Sequence, residues 1–272
     1  MGLNSTNRMW WAGAWYKTRL LCISVPLLTS FTSHNIFCLL SAVALHSETM
    51  AKDMTLLWGS GSPPCWRIQI MLEEKQLQGY NQKLLSFEKM EHKSQEVLDM
   101  NPRGQIPTFK CGNHILNESY AACFFLENQY KSQGNKLIPD SPDAQALMYQ
   151  RMFEVFTLVE KLVEIVLYNY KVPEGERHDS AVQRNKEALT AELKLWEGYL
   201  KKTDCCLAGK EFTLADVVFF PSVAFLFRLG LSSEHHPVLA KYYNSLKDRA
   251  SIKATWPPTW QLTPGSDMMK NI

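Results

Sequence analysis

The stretch WGSGSPPCWRIQIMLEE, residues 58–74, decides how the rest of the chain is read. It has the form of a strand end, a tight turn, and a helix with a cysteine in its first turn. Redox proteins place a C-x-x-C motif at such a helix N-terminus, its first sulfur acting as nucleophile. Here the four residues are Ser62, Pro63, Pro64 and Cys65, so a hydroxyl stands where the leading sulfur would be. A hydroxyl there can donate a hydrogen bond to an incoming thiolate, whereas a cysteine would form a disulfide with it. Ser62 suits the N-cap, with Pro63 at the first helical position that proline favours. Ser60, nearer the strand end, is the second candidate if the turn is longer. Both also fit plain turn chemistry, because Gly-Ser-Gly-Ser is loop composition. Cys65 falls on the core face of its helix and reads as a small packed hydrophobe. Arg67 reads as structural, or as a support for the turn.

Working outward, MTLLWG (54–59) is a short apolar run ending in glycine, a buried strand by length and flanks. Residues 64–76 follow as a helix, with Cys65, Ile68 and Leu72 at helical spacing. YNQKLLSF (80–87) is a second strand, and KSQEVLDMNP (93–102) a short helix stopped by Pro102. IPTFKCGNHILNES (106–119) makes two strands around Gly112-Asn113, a hairpin signal. SYAACFFLENQY (119–130) closes the unit as a helix. The order β-α-β-α-β-β-α is that of a thioredoxin-like α/β domain.

A polar stretch with Gly and Pro (131–144) reads as a linker. Beyond it no strand pattern survives. Met148, Met152, Val155, Val159, Leu162 and Val166 recur at spacings of three and four, one long helix. Residues 177–202 make another, with Leu189, Leu193, Trp196 and Leu200 on one face. FTLADVVFFPSVAFLFRLG (212–230) starts like a capping box, Thr213 to Asp216, although Asp is a weaker partner there than Glu. Being apolar on all sides, this helix belongs in the centre of an all-α domain. PVLAKYYNSLKDRA (237–250) adds an amphipathic helix. The expected organisation is an extension over 1–49, a thioredoxin-like domain over 50–131, a linker over 132–142 and an all-α domain over 143–272.

The chain has 272 residues, 46% of them hydrophobic, enough for two ordinary domains with real cores. Its formal charge of +2 comes with no basic stripe, which argues against a nucleic-acid partner. That charge belongs to residues 1–49, where Arg8, Lys17 and Arg19 face only Glu48; the rest of the chain is balanced. The seven cysteines show no metal-ligand spacing and His235-His236 has no ligand neighbours, so no metal site is expected. A disulfide framework does not suit this size and spacing, which points to a reducing, cytoplasmic setting. The apolar runs at 19–28 and 35–45 are each shorter than a membrane span and separated by a polar break, so no stable membrane insertion is expected. Met50 would serve as an ordinary start. Residues 1–49 are expected to be disordered, removable or wrongly joined to the body, with organelle or membrane targeting by them left open.

Three stretches then converge. SPPCWR (62–67) opens a helix, NPRGQIPTF (101–109) puts a proline at a strand start, and NESYAACFFLE (117–127) begins a helix at Glu118 and Ser119. With the α-helical second half, they resemble the cytosolic glutathione transferases over about residues 52–260. The local detail is most similar to the rho class known from fishes, with delta- and theta-like features around the serine. The resemblance implies the glutathione transferase fold, a thioredoxin-like domain followed by an all-α domain. It also implies conjugation of the glutathione thiolate to hydrophobic electrophiles in detoxification, with glutathione as co-substrate, no other cofactor and a homodimeric assembly.

Residue by residue, the resemblance makes Ser62 the donor to the thiolate, with Ser60 as alternative. It implies a cis Ile106–Pro107 bond, with the Ile106 backbone paired to the cysteinyl unit of glutathione. Ser119 and the helix-start amides would hold the γ-glutamyl carboxylate, and Glu118 its ammonium. Gln105 would lie against the tripeptide; His92 and Lys93, in EHKS, match a segment that meets the glycine carboxylate. The second His of the delta pattern has no counterpart, because Gly104 occupies that slot.

Taken on the residues alone, Ser119 or Asn117 could be an ordinary cap, Pro107 a trans edge-strand start, and His92 a solvated loop residue. The electrophile is expected between the domains, near Tyr149, Phe153 and Phe156 on the long helix and Trp256 and Trp260 of the tail TWPPTW (255–260). Helical aromatics are also ordinary core. Two alternatives stand beside the transferase: a non-catalytic carrier of hydrophobic ligands, and a glutathione-dependent thiol oxidoreductase using Cys65.

Overall fold

The structure, a computed structural model, describes residues 51–203 and 205–272; the expectations for residues 1–49 lie outside them. Strand β1 (Met54–Trp58) is one of the two interior strands of a mixed four-stranded sheet of order β2-β1-β3-β4. It is interior because its run MTLLW is apolar except for the half-buried Thr55 and needs cover on both faces. Strand β2 (Asn81–Leu84) pairs parallel to it and lies exposed at the edge. β2 is shorter than the run 80–87. Leu85 N–H still reaches the Trp58 carbonyl at 2.8 Å, but Ser86 N–H is then captured by the Glu91 carboxylate at 2.7 Å, which ends the ladder. Strands β3 (Thr108–Cys111) and β4 (His114–Leu116) form the antiparallel hairpin expected around Gly112-Asn113.

Helices α1 (Pro63–Glu74), α2 (Gln95–Met100) and α3 (Ser119–Gln129) complete the thioredoxin-like half. The second half is helical: α4 (Pro142–Val166), α5 (Tyr168–Lys171), α6 (Asp179–Thr203), α7 (Leu214–Arg228), α8 (Pro237–Leu246), α9 (Ala250–Ala254) and α10 (Pro258–Leu262). As its composition demands, α7 is buried along nearly its whole length and packs on α1, α4 and α8. One hydrophobic core therefore runs through both halves, from Met54 and Phe109 to Leu214 and Ile252.

Asp216 closes the start of α7. Its carboxylate accepts Thr213 N–H at 2.9 Å, Leu207 N–H at 2.7 Å and the Tyr242 hydroxyl at 3.1 Å. Burial pushes this carboxyl up to about 6, against the pull of those donors. Paired charges gather at the other end of α1, one pair to α3 and one to the helical half. Lys75 meets Glu127 at 2.6 Å, and Glu74 accepts two bonds from Arg249, the shorter at 2.6 Å.

Candidate active site

The turn after β1 carries both candidate serines. Ser62 N–H closes it by donating to the Gly59 carbonyl at 3.3 Å. Gly61 sits at φ +76°, where a side chain is strained, and a Cβ there would lie 2.6 Å from Trp260 Nε1. Glycine is needed twice, for its backbone and for the indole lying on it. Ser62 is the N-cap residue of α1 with extended backbone, and its hydroxyl makes no capping bond. The Cys65 sulfur, in the first turn beyond it, accepts the Gly59 N–H at 3.4 Å. Burial pushes the Cys65 thiol up to about 11, although Ser62, Gly59 and Arg67 pull the other way. Cys65 is fully buried, so at neutral pH it is a protonated, inaccessible sulfur. It has the packed role its position on the core face suggested.

Ser60 is differently placed. Its Oγ lies 2.7 Å from Thr259 Oγ1 and accepts the Thr259 N–H at 3.1 Å, tying α10 across the turn. Of the two hydroxyls, Ser60 is engaged by the chain's own C-terminal segment.

Two more elements arrive at this end of β1. Leu57 pairs with Thr108, which brings Pro107 and Ile106 beside Trp58 and Gly59. The Ile106–Pro107 bond is cis. Among the described residues neither the N–H nor the carbonyl of Ile106 has a hydrogen-bond partner. The Gln105 carbonyl is pinned by Asn101 Nδ2 at 2.7 Å and Thr108 Oγ1 at 3.1 Å, leaving the Gln105 side chain exposed. His92 and Lys93 lie in a 3-10 turn, Glu91–Lys93, docked on this loop through Lys93 Nζ and the Arg103 carbonyl at 3.2 Å. His92 Nδ1 is buried without a partner, and burial, then the neighbouring Lys93, holds the imidazole below its ordinary range.

The third element is α3. Its N-cap residue is Glu118, and no side chain caps it. The capping alternative for Ser119 or Asn117 is thus not taken up; Asn117 donates to the Met100 carbonyl at 3.0 Å instead. The Ala122 N–H closes the first turn on the Glu118 carbonyl at 3.0 Å, so the three N–H groups before it have no acceptor within the helix. Ser119 is buried, and its Oγ accepts a bond from Arg67 Nη1 at 3.2 Å. Arg67 lies about 7–8 Å along α1 from Ser62 at the helical rise, which sets the starts of α1 and α3 side by side.

The aromatic candidates fall into two groups. Trp256 and Trp260 pack edge-on against buried Trp66, with centroids 5.2 and 5.5 Å away, and Trp260 covers the serine turn. Phe156 stacks on Tyr120 at 4.3 Å and on Phe153, while Tyr149 meets Phe124 at 5.8 Å. Phe153 and Phe156 remain 54% and 50% exposed. No ring contact among the described residues joins the two groups. The sequence reading missed Phe87, whose ring occupies the space that a Cβ on Gly59 would fill, and Thr259, the partner of Ser60. Phe87 carried no local signal, since only the β1–β2 pairing brings it to Gly59. Thr259 could have been noticed as the one hydrogen-bonding residue between two prolines and a tryptophan.

Comparison with known proteins agrees with this layout. The glutathione S-transferase N-terminal domain family matches residues 61–129, and the glutathione S-transferase C-terminal domain family matches residues 158–249. The chain is 68% identical over 225 residues to glutathione S-transferase A of Pleuronectes platessa, covering 82% of this chain and 100% of that protein. Among solved structures, a glutathione S-transferase from the Antarctic clam Laternula elliptica superposes with a TM-score of 0.73 at 40% identity, over 80% of this chain and 99% of that one. A delta-class glutathione transferase of Nilaparvata lugens superposes with a TM-score of 0.64 at 25% identity, over 75% and 92%. A thioredoxin-like half with a serine at the head of its first helix, a helical half built on a buried α7, and a relative matched over its whole length make this chain a member of the glutathione S-transferase family.

Proposed function

We propose that the protein is a rho-type glutathione transferase in which Ser62 activates the thiol of bound glutathione for attack on hydrophobic electrophiles. The observation that carries this reading is the contrast between the serines: Ser60 is engaged by Thr259, while the Ser62 hydroxyl caps nothing. Burial keeps Cys65 protonated, so no thiolate there competes for the serine's proton. An ordinary thiol has a pKa of about 8.5, and bringing it to about 7 needs roughly 2 kcal/mol of preference for the anion. One hydrogen bond to a charged group contributes about 1.5–3 kcal/mol. The positive end of α1 adds about 0.3–1 kcal/mol. The sum suffices without deprotonating the serine.

In this reading the open start of α3, with Ser119, receives the γ-glutamyl carboxylate and Glu118 its ammonium. The unpartnered backbone of Ile106 at Pro107 pairs with the cysteinyl unit. Gln105, His92 and Lys93 take the glycine end. Trp256 and Trp260 face the electrophile, and Tyr149, Phe153 and Phe156 border the other side. Glutathione is a co-substrate, and the reaction requires no further cofactor. The half-exposed Phe153 and Phe156, beside Ser119 through Tyr120, favour a homodimer in which a second subunit covers them. The setting we propose is cytoplasmic detoxification.

The test is turnover of a chromogenic aryl halide with glutathione, together with the thiolate absorbance titration of the bound tripeptide. Ser62→Ala should cut turnover about 10–100-fold and raise the pKa of bound glutathione, with little change in its affinity. If Ser60→Ala behaves this way and Ser62→Ala does not, the serine assignment falls. Binding without turnover in the wild type would instead make the protein a carrier.

A further inference from the structure

Among the described residues Arg67 is a buried cation without an anion. Its Nε donates to the Val218 carbonyl at 3.0 Å, Nη1 to Ser119 Oγ at 3.2 Å and Nη2 to Ser222 Oγ at 3.4 Å, and its guanidinium lies 4.9 Å from the centre of the Tyr120 ring. Every one of these partners is neutral. No carboxylate faces it among the described residues; besides Tyr120, the titratable groups around it are the thiols of Cys65 and Cys123. Burial favours its neutral form, yet a guanidinium stays protonated in proteins.

At the other end of α1 the two buried ions have counterions, whereas the buried Asp216 carboxylate of α7 is held by neutral donors alone. Lys75 is matched by Glu127, and Glu74 by Arg249. Both are ordinary pairs, as the cost of burying a lone charge requires. A tie between α1 and α7 would need the donors of Arg67 but not its charge.

The charge has a direction. Ser119 stands between Arg67 and the uncapped start of α3. Because its Oγ accepts from Arg67, its own O–H is free to donate outward, toward the helix end where a carboxylate would sit. We propose that Arg67 is the positioning residue for the anionic end of the substrate: it turns Ser119 into a donor and supplies the countercharge that a bound carboxylate completes. This rests on the reading that Ser119 receives the γ-glutamyl carboxylate.

The experiment compares binding of S-methylglutathione with that of its analogue in which the γ-glutamyl α-carboxylate is an amide. The S-methyl group takes thiol ionisation out of the measurement. Wild type should prefer the acid by about 10–100-fold, the effect of a charge-assisted contact. Arg67→Gln should reduce that preference to about threefold or less, and kcat at saturating glutathione should fall much less than the affinity. Arg67→Lys, which keeps the charge but cannot hold Ser119 and Val218 together, should fall between.

If wild type itself shows no preference, the Ser119 reading fails. If wild type shows it and Arg67→Gln retains it, the Arg67 proposal fails. A fall in kcat with the preference intact would make Arg67 merely structural and would also overturn the proposal. Should Arg67→Gln not fold, Arg67→Lys decides: a fall of about fivefold supports the proposal, and an undiminished preference overturns it.

Discussion

Helices α3 and α7 begin in opposite ways. At α7 the buried start is closed from within: Asp216 takes the N–H of Thr213, that of Leu207 and the hydroxyl of Tyr242. At α3 the N-cap residue is Glu118, no side chain caps the first turn, and Arg67 brings a positive charge up behind it. Both are helix N-termini with the same orphan donors. The difference is that α7 sits in the core, where an unpaired N–H costs about 1–3 kcal/mol, and α3 opens at the end of β1, where a ligand can supply the acceptor. Satisfied ends stabilise the fold, and the end left open beside a cation is the one to which we assign the ligand's carboxylate.

The largest effect should come from breaking the closed end. Asp216→Ala removes a cap, about 1–2 kcal/mol, and strands the buried N–H of Leu207 and the hydroxyl of Tyr242. We expect a loss of about 3–5 kcal/mol by urea unfolding, and a Tm lower by roughly 6–15 °C. Glutathione affinity of the folded fraction should not change. A loss below about 1 kcal/mol would show that α7 does not depend on this closure.

Closing the open end sharpens the comparison from the other side. Glu118→Ser gives α3 a capping side chain and removes the carboxylate proposed for the ligand's ammonium. Stability should rise by a few tenths to about 1 kcal/mol, while glutathione binding, measured by calorimetry, should weaken about 10-fold. Unchanged affinity would mean that α3 is not the ligand's anchor.

A smaller effect is expected at the engaged serine. Ser60→Ala releases Thr259 and with it the hold on α10. Turnover with a bulky aryl halide should change by about two- to fivefold while the pKa of bound glutathione stays put, because an exposed neutral hydrogen bond contributes only about 0.5–1.5 kcal/mol. A shift in that pKa would put Ser60 at the sulfur.

The smallest concerns His92. Its imidazole lies below its ordinary pKa, so it is uncharged at pH 7 in the free protein. A carboxylate bound next to it would favour the cation and raise that pKa, so affinity should increase as pH falls through about 6.5. We expect a two- to threefold tightening of S-methylglutathione between about pH 7.5 and 6, absent in His92→Gln. The same pH dependence in both proteins would remove His92 from the site.

Much of this was legible in the sequence because it depends on short-range pattern. The run MTLLW needs two covered faces, so it had to be an interior strand. The turn GSGS ahead of two prolines had to lead into a helix, and the all-apolar stretch after Thr213 had to lie in the core. Those features follow from residue type and spacing within a dozen positions. What only the tertiary structure decided are the pairings between residues far apart in the chain. Ser60 and Ser62 are equivalent as turn residues, and it is Thr259, 199 positions away, that engages one and leaves the other. Arg67 reads as an ordinary helix residue until Ser119 and Ser222 are brought to its guanidinium and, among the described residues, no carboxylate is. Phe87 meets Gly59 only because β2 pairs with β1. Local sequence sets which groups each element can offer, but whether a group is satisfied depends on which distant acceptor the packing brings to it. A hydrogen bond or a buried charge has no meaning until both partners are in place.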